Sequence, residues 1–442
     1  MTFRDLNLST ALLNALEDLN FSIPSTIQQR AFAPIMAGSD VLGIAQTGTG
    51  KTFAYLLPLL RQWKFSKKRI PEILVMVPTR ELVVQVVEEA NKLCKYMDCK
   101  IIGVYGGTNI KTQMAAIATG ADIVIATPGR LQDLLLNKTI HAKMVKKIVI
   151  DEVDEMLNLG FRTQLKTIFD LLPERKQMLM FSATVNEEVQ ILIDYSFNTP
   201  VRIEAAPTGT PLSNIQQIGY WVPNYITKIN FLEHLLELDS TLTKVLIFAA
   251  SKRLADDIHL RLEPKFSEQL AVIHSNKAQN TRFKTVDDFE SGASRILIAT
   301  DLIARGLDVS AVSHVINMDV PAVSENYIHR IGRTGRADKP GVSITFITEK
   351  DKENKQRVEA LMGCEIPMFE IPKEVVISTQ LTKEELPVIS MKIIEVKQPK
   401  VIAKGESHHE KLGKNKKVNI KVTREDAKKK KYGKRYVRSH RS

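Results

Sequence analysis

The chain has 442 residues, 44% of them hydrophobic and 25% charged. That is enough for two or three domains that each bury a core, and it excludes mostly disordered, collagenous and disulfide-stapled chains. The net charge of +12 is concentrated in residues 400–442, which hold 16 Lys+Arg against 4 Asp+Glu, so residues 1–399 are balanced.

Cys94, Cys99 and Cys364 make no disulfide framework. The Cys94-x4-Cys99 spacing is too wide for a zinc knuckle and has no second Cys or His pair near it. The first residues lack a basic-then-apolar leader pattern, and no apolar run approaches the ~20 residues that span a membrane. The sequence therefore reads as soluble and cytoplasmic, with no membrane partner.

In chain order, the apolar positions of Leu8–Leu19 fit a packing helix. Short β-branched runs follow at Val41–Gln46, Ile73–Val77, Ile101–Tyr105, Ile123–Ala126, Lys147–Ile150 and Met178–Phe181, with helical patterns such as Phe53–Trp63, Glu81–Met97 and Phe161–Leu172 among them. Several runs are apolar throughout, as in strands buried on both faces of a parallel sheet. Residues 205–214 (Ala-Ala-Pro-Thr-Gly-Thr-Pro-Leu-Ser-Asn) read as a linker. The alternation restarts at Lys244–Ala249, Leu270–Ile273, Ile296–Ala299, His314–Met318 and Val342–Ile347. Asp122-Ile-Val-Ile-Ala-Thr-Pro is echoed by Arg295-Ile-Leu-Ile-Ala-Thr-Asp, so the expected fold is α/β: two related parallel-sheet domains in tandem, with a ligand cleft between them. Residues 371–399 carry apolar positions without a recognisable fold. The tail from 400 onward, with Lys428–Lys431 and Lys434-Arg435, is expected to be disordered when free.

The run Val41–Ala45 leads into Gln46-Thr47-Gly48-Thr49-Gly50-Lys51-Thr52 and then a helical pattern. This is a P-loop in its required context, with Ala45 where the general pattern has its first glycine. Glycines let backbone N–H groups close around phosphates, Lys51 adds a point charge, and Thr52 offers a hydroxyl to Mg²⁺. Asp151-Glu152-Val153-Asp154 follows an apolar strand, which suits Asp151 to hold Mg²⁺ and Glu152 to orient an attacking water. In the second half, His329-Arg-Ile-Gly-Arg333-Thr-Gly-Arg336 offers arginines that can reach a γ-phosphate across the cleft, so hydrolysis would need domain closure.

From about Phe3 to Gly363 the ordered motifs resemble the DEAD-box ATP-dependent RNA helicases of superfamily two. The matches are Phe21-x2-Pro24-x2-Ile27-Gln28, Ala45–Thr52, Pro78–Leu82, Gly106-Gly107, Thr127–Arg130, Asp151–Asp154, Ser182–Thr184, Gln279-x2-Arg282, Ala299–Asp308 and His329–Arg336. The resemblance implies two RecA-like domains that use ATP and Mg²⁺ and bind RNA by its backbone. Phe21 and Gln28 would read adenine, and residues 45–52 would hold the phosphates. Asp151 would bind the metal and Glu152 would act as base. Arg333 and Arg336 would be arginine fingers, with Gly306 and Asp308 facing the nucleotide. Ser182 and Thr184 would couple hydrolysis to strand separation. RNA contacts would come from Thr79, Arg80, Gly107, Thr127, Arg130 and Thr300.

The implied division of the chain is a Q-motif region at 1–29, an ATP-binding domain at 30–204, the linker at 205–214, a C-terminal helicase domain at 215–370, an extension at 371–399 and the tail at 400–442. Departures from the family pattern are Val153 in place of Ala, Ser25 in place of Thr, Ser275 where Gly is more common, and Ala249-Ala250 where a polar pair is usual. The expected activity is local, ATP-driven unwinding or remodelling of RNA. The competing reading is an ATP-gated RNA clamp or assembly scaffold that keeps the same motifs. Two aromatics, Tyr432 and Tyr436, lie among the cations of the tail, which is read as an RNA tether. Similarity to bacterial members that serve ribosome assembly, RNA decay or cold adaptation implies ribosomal or RNA-decay partners.

Overall fold

A computed structural model of the chain describes residues 1–46, 48–197, 199–205, 214–301, 312–335, 340–382, 385–386 and 430. The first sheet is built from β1 (Val41–Ile44), β2 (Ile73–Met76), β3 (Ile101–Val104), β4 (Ile123–Ala126), β5 (Lys147–Ile150), β6 (Gln177–Ser182) and β7 (Val201–Glu204). The second contains β8 (Ile215–Trp221), β9 (Val245–Phe248), β10 (Leu270–Ile273), β11 (Ile296–Ala299), β12 (His314–Asn317), β13 (Gly341–Ile347) and β14 (Met368–Phe369).

The strand orders are β3-β4-β2-β5-β6-β1-β7 and β10-β11-β9-β12-β13-β8-β14, so adding seven to each label of the first sheet gives the second. Every pairing between these strands is parallel. The echoed segments become β4 and β11, each second from the same edge of its sheet. Thr127 and Thr300 consequently follow equivalent strands.

The central strands are apolar throughout because each face of the sheet is covered. In the first domain, Val41, Val75, Ile125, Val149 and Leu179 pack under helices Thr10–Asp18, Thr26–Met36, Lys51–Gln62 and Arg80–Leu93. Their chain neighbours Leu42, Met76, Val124, Ile148 and Met180 face the opposite layer, with Leu131, Leu165 and Val189. The two-residue alternation of a strand thus serves both layers. Each fully buried Leu, Ile or Val contributes about 1.5–3 kcal/mol relative to exposure.

Strands β7, β8 and β14, at or next to a sheet edge, were not among the runs expected from the sequence. β7 is exposed at all but Ile203, so its sequence carries little apolar signal. Residues 371–382 and 385–386 lie along the start of helix Tyr225–Leu238. Asn224 Nδ2 donates to the Ser378 carbonyl at 2.5 Å, Ser378 N–H to Thr227 Oγ1 at 3.0 Å, and Tyr225 N–H to Glu385 Oε1 at 2.6 Å. Val375 is buried in the same core. The strap thus satisfies the Tyr225 N–H, one of the donors a helix start leaves unpaired, and pairs with the side chains of Asn224 and Thr227. The linker residues 206–213, the rest of the extension, and the tail other than Lys430 lie outside the described residues.

Candidate active site

The phosphate loop connects β1 to helix Lys51–Gln62. Gly48 and Gly50 have φ of +84° and +85°, a region that favours glycine. A Cβ on Gly50 would also collide with Gln28 Nε2. The Thr49 hydroxyl donates to the Gln46 carbonyl at 2.7 Å. Ala45 is buried against the end of β6, with its N–H donating to the Ser182 carbonyl at 3.0 Å. Thr47 lies outside the described residues. Lys51 is buried at the helix N-terminus and its Nζ has no hydrogen-bond partner among the described residues. A cation there meets the positive end of the helix dipole, an arrangement suited to an anion that neutralises both.

Gln28 locks the entrance of the site. It accepts from the Ser25 N–H at 2.9 Å and donates to the Gly50 carbonyl at 3.1 Å. Phe21 is half exposed and meets Phe53 edge-on, with ring centroids 5.4 Å apart.

The carboxylates sit at the carboxyl end of β5. Asp151 is buried, and its Oδ1 accepts from the Glu152 N–H at 2.9 Å. Glu152 has φ 54° and ψ 50°, a left-handed conformation rare for a side chain of this kind and typical of strained functional turns. Burial raises the Asp151 pKa, with Lys51 partly offsetting it. Burial also pushes the Glu152 carboxyl up to about 7. Asp154 goes the other way: burial opposes its charge, but His329, Lys51 and the bonds from Thr184 outweigh burial and hold its pKa below the ordinary value. Its Oδ2 accepts from Ala183 N–H at 3.1 Å, Thr184 N–H at 3.0 Å and the Thr184 hydroxyl at 3.1 Å, while the Ser182 hydroxyl donates to the Thr184 carbonyl at 2.6 Å. The carboxylate group and the Ser-Ala-Thr turn are therefore one hydrogen-bonded body.

The second domain closes this site. Lys51, Glu152, Asp154, Glu155 and Ala183 share a cavity of about 10 Å³ with His329 and Arg333. Arg330, one of the three arginines in that segment, points elsewhere. It forms a fork with Asp301 at 2.5 and 2.8 Å, donates to the Asp319 carbonyl at 2.8 Å, and lies 5.2 Å over the Phe248 ring. It holds helix Ser324–Ile331 in place, and Arg333 is left to face the cavity. Gly306, Asp308 and Arg336 lie outside the described residues.

A larger groove of about 800 Å³ opens beside the active site. Thr79, Arg80, Gly107, Thr127 and Arg130 line it from the first domain, and Ser275, Lys277, Gln279 and Arg282 from the second. Thr300 is buried and is not among its lining residues. A Cβ on Gly107, where φ is +80°, would collide with Arg80 Nη1, so glycine lets the guanidinium lie flat over this turn. Arg130 is aimed by Gln113 Oε1 at 2.5 Å and the Thr108 carbonyl at 3.0 Å. Buried Glu81 spans the domains, pairing with Arg282 at 2.5 Å and accepting from Gln279 Nε2 at 2.8 Å.

Sequence reasoning missed Glu155 in the cavity and Glu81 and Gln164 in the groove. Gln164 had no motif to mark it. Glu81 lay in plain view within Pro78–Leu82, but its partners are about two hundred residues away.

Two family models match the chain: DEAD/DEAH box helicase over residues 25–192, and the helicase conserved C-terminal domain over 227–338. The DEAD-box ATP-dependent RNA helicase RhpA of Helicobacter pylori is 39% identical over 371 residues, covering 84% of this chain and 74% of the relative. The chain belongs to the DEAD-box ATP-dependent RNA helicases. CshA of Bacillus cereus is 37% identical over 371 residues, covering 84% of this chain and 70% of its own length. Among solved structures, S. cerevisiae Dbp5 bound to RNA and ADP BeF3 matches with a TM-score of 0.77 at 28% identity, covering 84% of this chain and 96% of that one. Mss116p bound to ssRNA and AMP-PNP matches with a TM-score of 0.75 at 29% identity, over 84% and 78% of the two chains. The two sheets are thus tandem RecA-like helicase domains, and the chain is an ATP-dependent RNA helicase.

The raised Glu152 pKa has a consequence for stability. An acid whose folded pKa lies above its unfolded value costs stability as pH rises from about 4.5 to about 7, and the full cost persists above that. In nucleotide-free, metal-free protein, Glu152→Gln should therefore stabilise the fold at pH 8 by about 1–3 kcal/mol and much less at pH 5. Thermal melts at the two pH values check this.

Proposed function

We propose that ATP binds with its adenine against Phe21 and Gln28 and its phosphates in the loop 45–52, where Lys51 meets the β- and γ-phosphates. The loop includes Ala45, Gln46, Thr47, Gly48, Thr49 and Gly50. The observation that carries this reading is the cavity shared by Lys51 and Glu152 of one domain and Arg333 of the other. Because Lys51 and Glu152 come from one domain and Arg333 from the other, a nucleotide seated between them is enclosed when the domains close.

The residues present suit Mg²⁺. Among the described residues no three or more His, Cys, Asp or Glu are arranged to hold a metal ion by themselves, but Mg²⁺ at a nucleotide site needs only one or two protein oxygens and takes the rest from phosphates and water. Asp151, a buried carboxylate with one oxygen committed to a backbone N–H, and the Thr52 hydroxyl would hold it. Bound there, Mg²⁺ would supply positive charge against the phosphate oxygens.

Glu152 takes a proton from the attacking water as the new P–O bond forms and the bond to the β-phosphate oxygen breaks. Arg333, with Arg336, stabilises the charge on the transferring phosphoryl group, a contribution on the order of 10³–10⁵ in rate for arginine fingers. Asp154 ties the hydrolytic carboxylates to Ser182 and Thr184, so loss of the γ-phosphate is felt at that turn and at the domain contact through His329.

Single-stranded RNA lies along the groove, held by Thr79, Arg80, Gly107, Thr127 and Arg130 from the first domain. Gripping a strand in a shape that a duplex cannot adopt opens base pairs locally, and hydrolysis resets the open state. Only ligands that prefer the closed form can drive this change. The Asp-Glu-Val-Asp form of the name-giving motif keeps all three carboxylates; Val153 is buried in the core of the first domain and alters packing, not charge. The tail 400–442 tethers RNA electrostatically, and the protein works in the cytoplasm, with ribosomal or RNA-decay partners.

Steady-state turnover tests the core of this reading. Single-stranded RNA should stimulate ATP hydrolysis strongly and DNA should not, with Glu152→Gln abolishing the activity; equal rates with and without RNA would contradict it. For the tail, deletion of 400–442 should flatten the salt dependence of RNA affinity by about 0.7 log unit for each phosphate the tail neutralises. An unchanged slope in fluorescence titrations would exclude tethering.

A further inference from the structure

The groove between the domains collects polar atoms that lack hydrogen-bond partners, although Arg130 Nε lies 3.9 Å from an Asp133 carboxylate oxygen. Arg130 Nε, Gln164 Oε1, Ser275 Oγ and Arg282 Nε all belong to groove-lining residues, are shielded from water, and have no hydrogen-bond partner among the described residues. Such atoms are costly to leave unmade, and their concentration in one cleft calls for a ligand rich in hydrogen-bonding oxygens. Arg130 and Arg282 fall inside the motif set. Ser275 does not.

The turn that carries Ser275 is fixed from behind. His274 is buried, with Nδ1 accepting from the Asn276 N–H at 3.4 Å, which leaves Nε2 as the nitrogen that donates to Asp256 Oδ1 at 2.9 Å. The same Asp256 oxygen holds Lys277 Nζ at 3.1 Å. Lys277 N–H closes the turn onto the His274 carbonyl at 3.0 Å, and Lys252 Nζ grips Asn276 Oδ1 at 3.0 Å. Residues 274–277 are thus clamped to helix Lys252–Phe266, and Ser275 sits at the groove wall beside a lysine, facing a cleft whose other wall carries Arg80 and Arg130. A hydroxyl needs only a change of rotamer to reach a partner lying in the cleft, and cations on both walls favour a phosphate there.

We propose that Ser275 is an RNA-binding residue of the second domain, its hydroxyl donating to a phosphate oxygen of the single strand seated in the groove. The proposal rests on the groove being the RNA seat. It adds a contact to the grip of the closed state that a glycine at this position cannot make, and so raises the affinity for RNA that accompanies ATP-driven closure.

The test is the affinity of the full chain for a fluorescent single-stranded oligo-U RNA, by anisotropy, with a non-hydrolysable ATP analogue present or absent. Ser275→Ala and Ser275→Gly should each weaken nucleotide-dependent RNA binding roughly three- to tenfold. The affinity for the ATP analogue without RNA should not change, which also reports that the variants fold. Ser275→Thr, which keeps the hydroxyl, should stay within about twofold of the parent. Wild-type binding with undiminished affinity in Ser275→Ala would overturn the assignment alone, as would Ser275→Thr losing as much as Ser275→Ala. Wild-type protein without any nucleotide-dependent RNA affinity would overturn the groove reading and this assignment with it.

Discussion

A buried cluster of opposite charges, divided between two sheets, is the constraint on which the rest of the molecule depends. Asp151, Glu152 and Asp154 stand at the end of one strand, Lys51 at the start of one helix, and His329 and Arg333 on another domain. Taking such ions out of water is expensive unless each finds a counter-charge in good geometry. For Asp154 its partners outweigh burial and its pKa is lowered; for Asp151 and Glu152 burial outweighs the partners they have, and theirs are raised. On the proposed reading, Asp151 would meet the missing positive charge in a bound Mg²⁺ and Lys51 would meet its counter-charge in the triphosphate, so the closed form would be best satisfied with the substrate in place.

The same logic runs through the groove. Glu81 from the first domain and Arg282 from the second are buried together with Gln279, a pairing that exists only when the domains meet. Breaking one partner of such a pair leaves a buried charge uncompensated. Arg330 shows the complementary use of a buried ion: its fork to Asp301 spends its charge on structure, which fixes the helix that presents Arg333. Two arginines three residues apart thus serve different ends, and their surroundings decide which.

Much of the fold was legible because a parallel sheet buried on both faces leaves continuous apolar runs, and β1, β2, β4, β5, β9 and β11 carry them. The echo between Asp122–Pro128 and Arg295–Asp301 marked equivalent strands of two like sheets. Strand β7 escaped because only Ile203 is buried, and the strap at 371–382 and 385–386 escaped because it is held by side-chain bonds to a helix start, which leave no periodicity. In the site, the phosphate loop and the carboxylates could be read from spacing alone, since both lie within a few residues of a strand end. The Glu81–Arg282 pair, the place of Glu155 in the cavity and the place of Ser275 at the groove wall could not, because each depends on the approach of segments far apart in the chain. Thr300 follows a strand equivalent to that before Thr127, yet only Thr127 lines the groove.

Completion of the ATP site by the second domain can be read from Arg333→Ala, with ATP affinity and RNA-stimulated turnover measured on the same protein. The substitution should lower kcat by at least about a hundredfold while ATP binding, which rests on the first domain, changes little. RNA-stimulated turnover that survives it at the parental rate would show instead that the first domain hydrolyses ATP by itself.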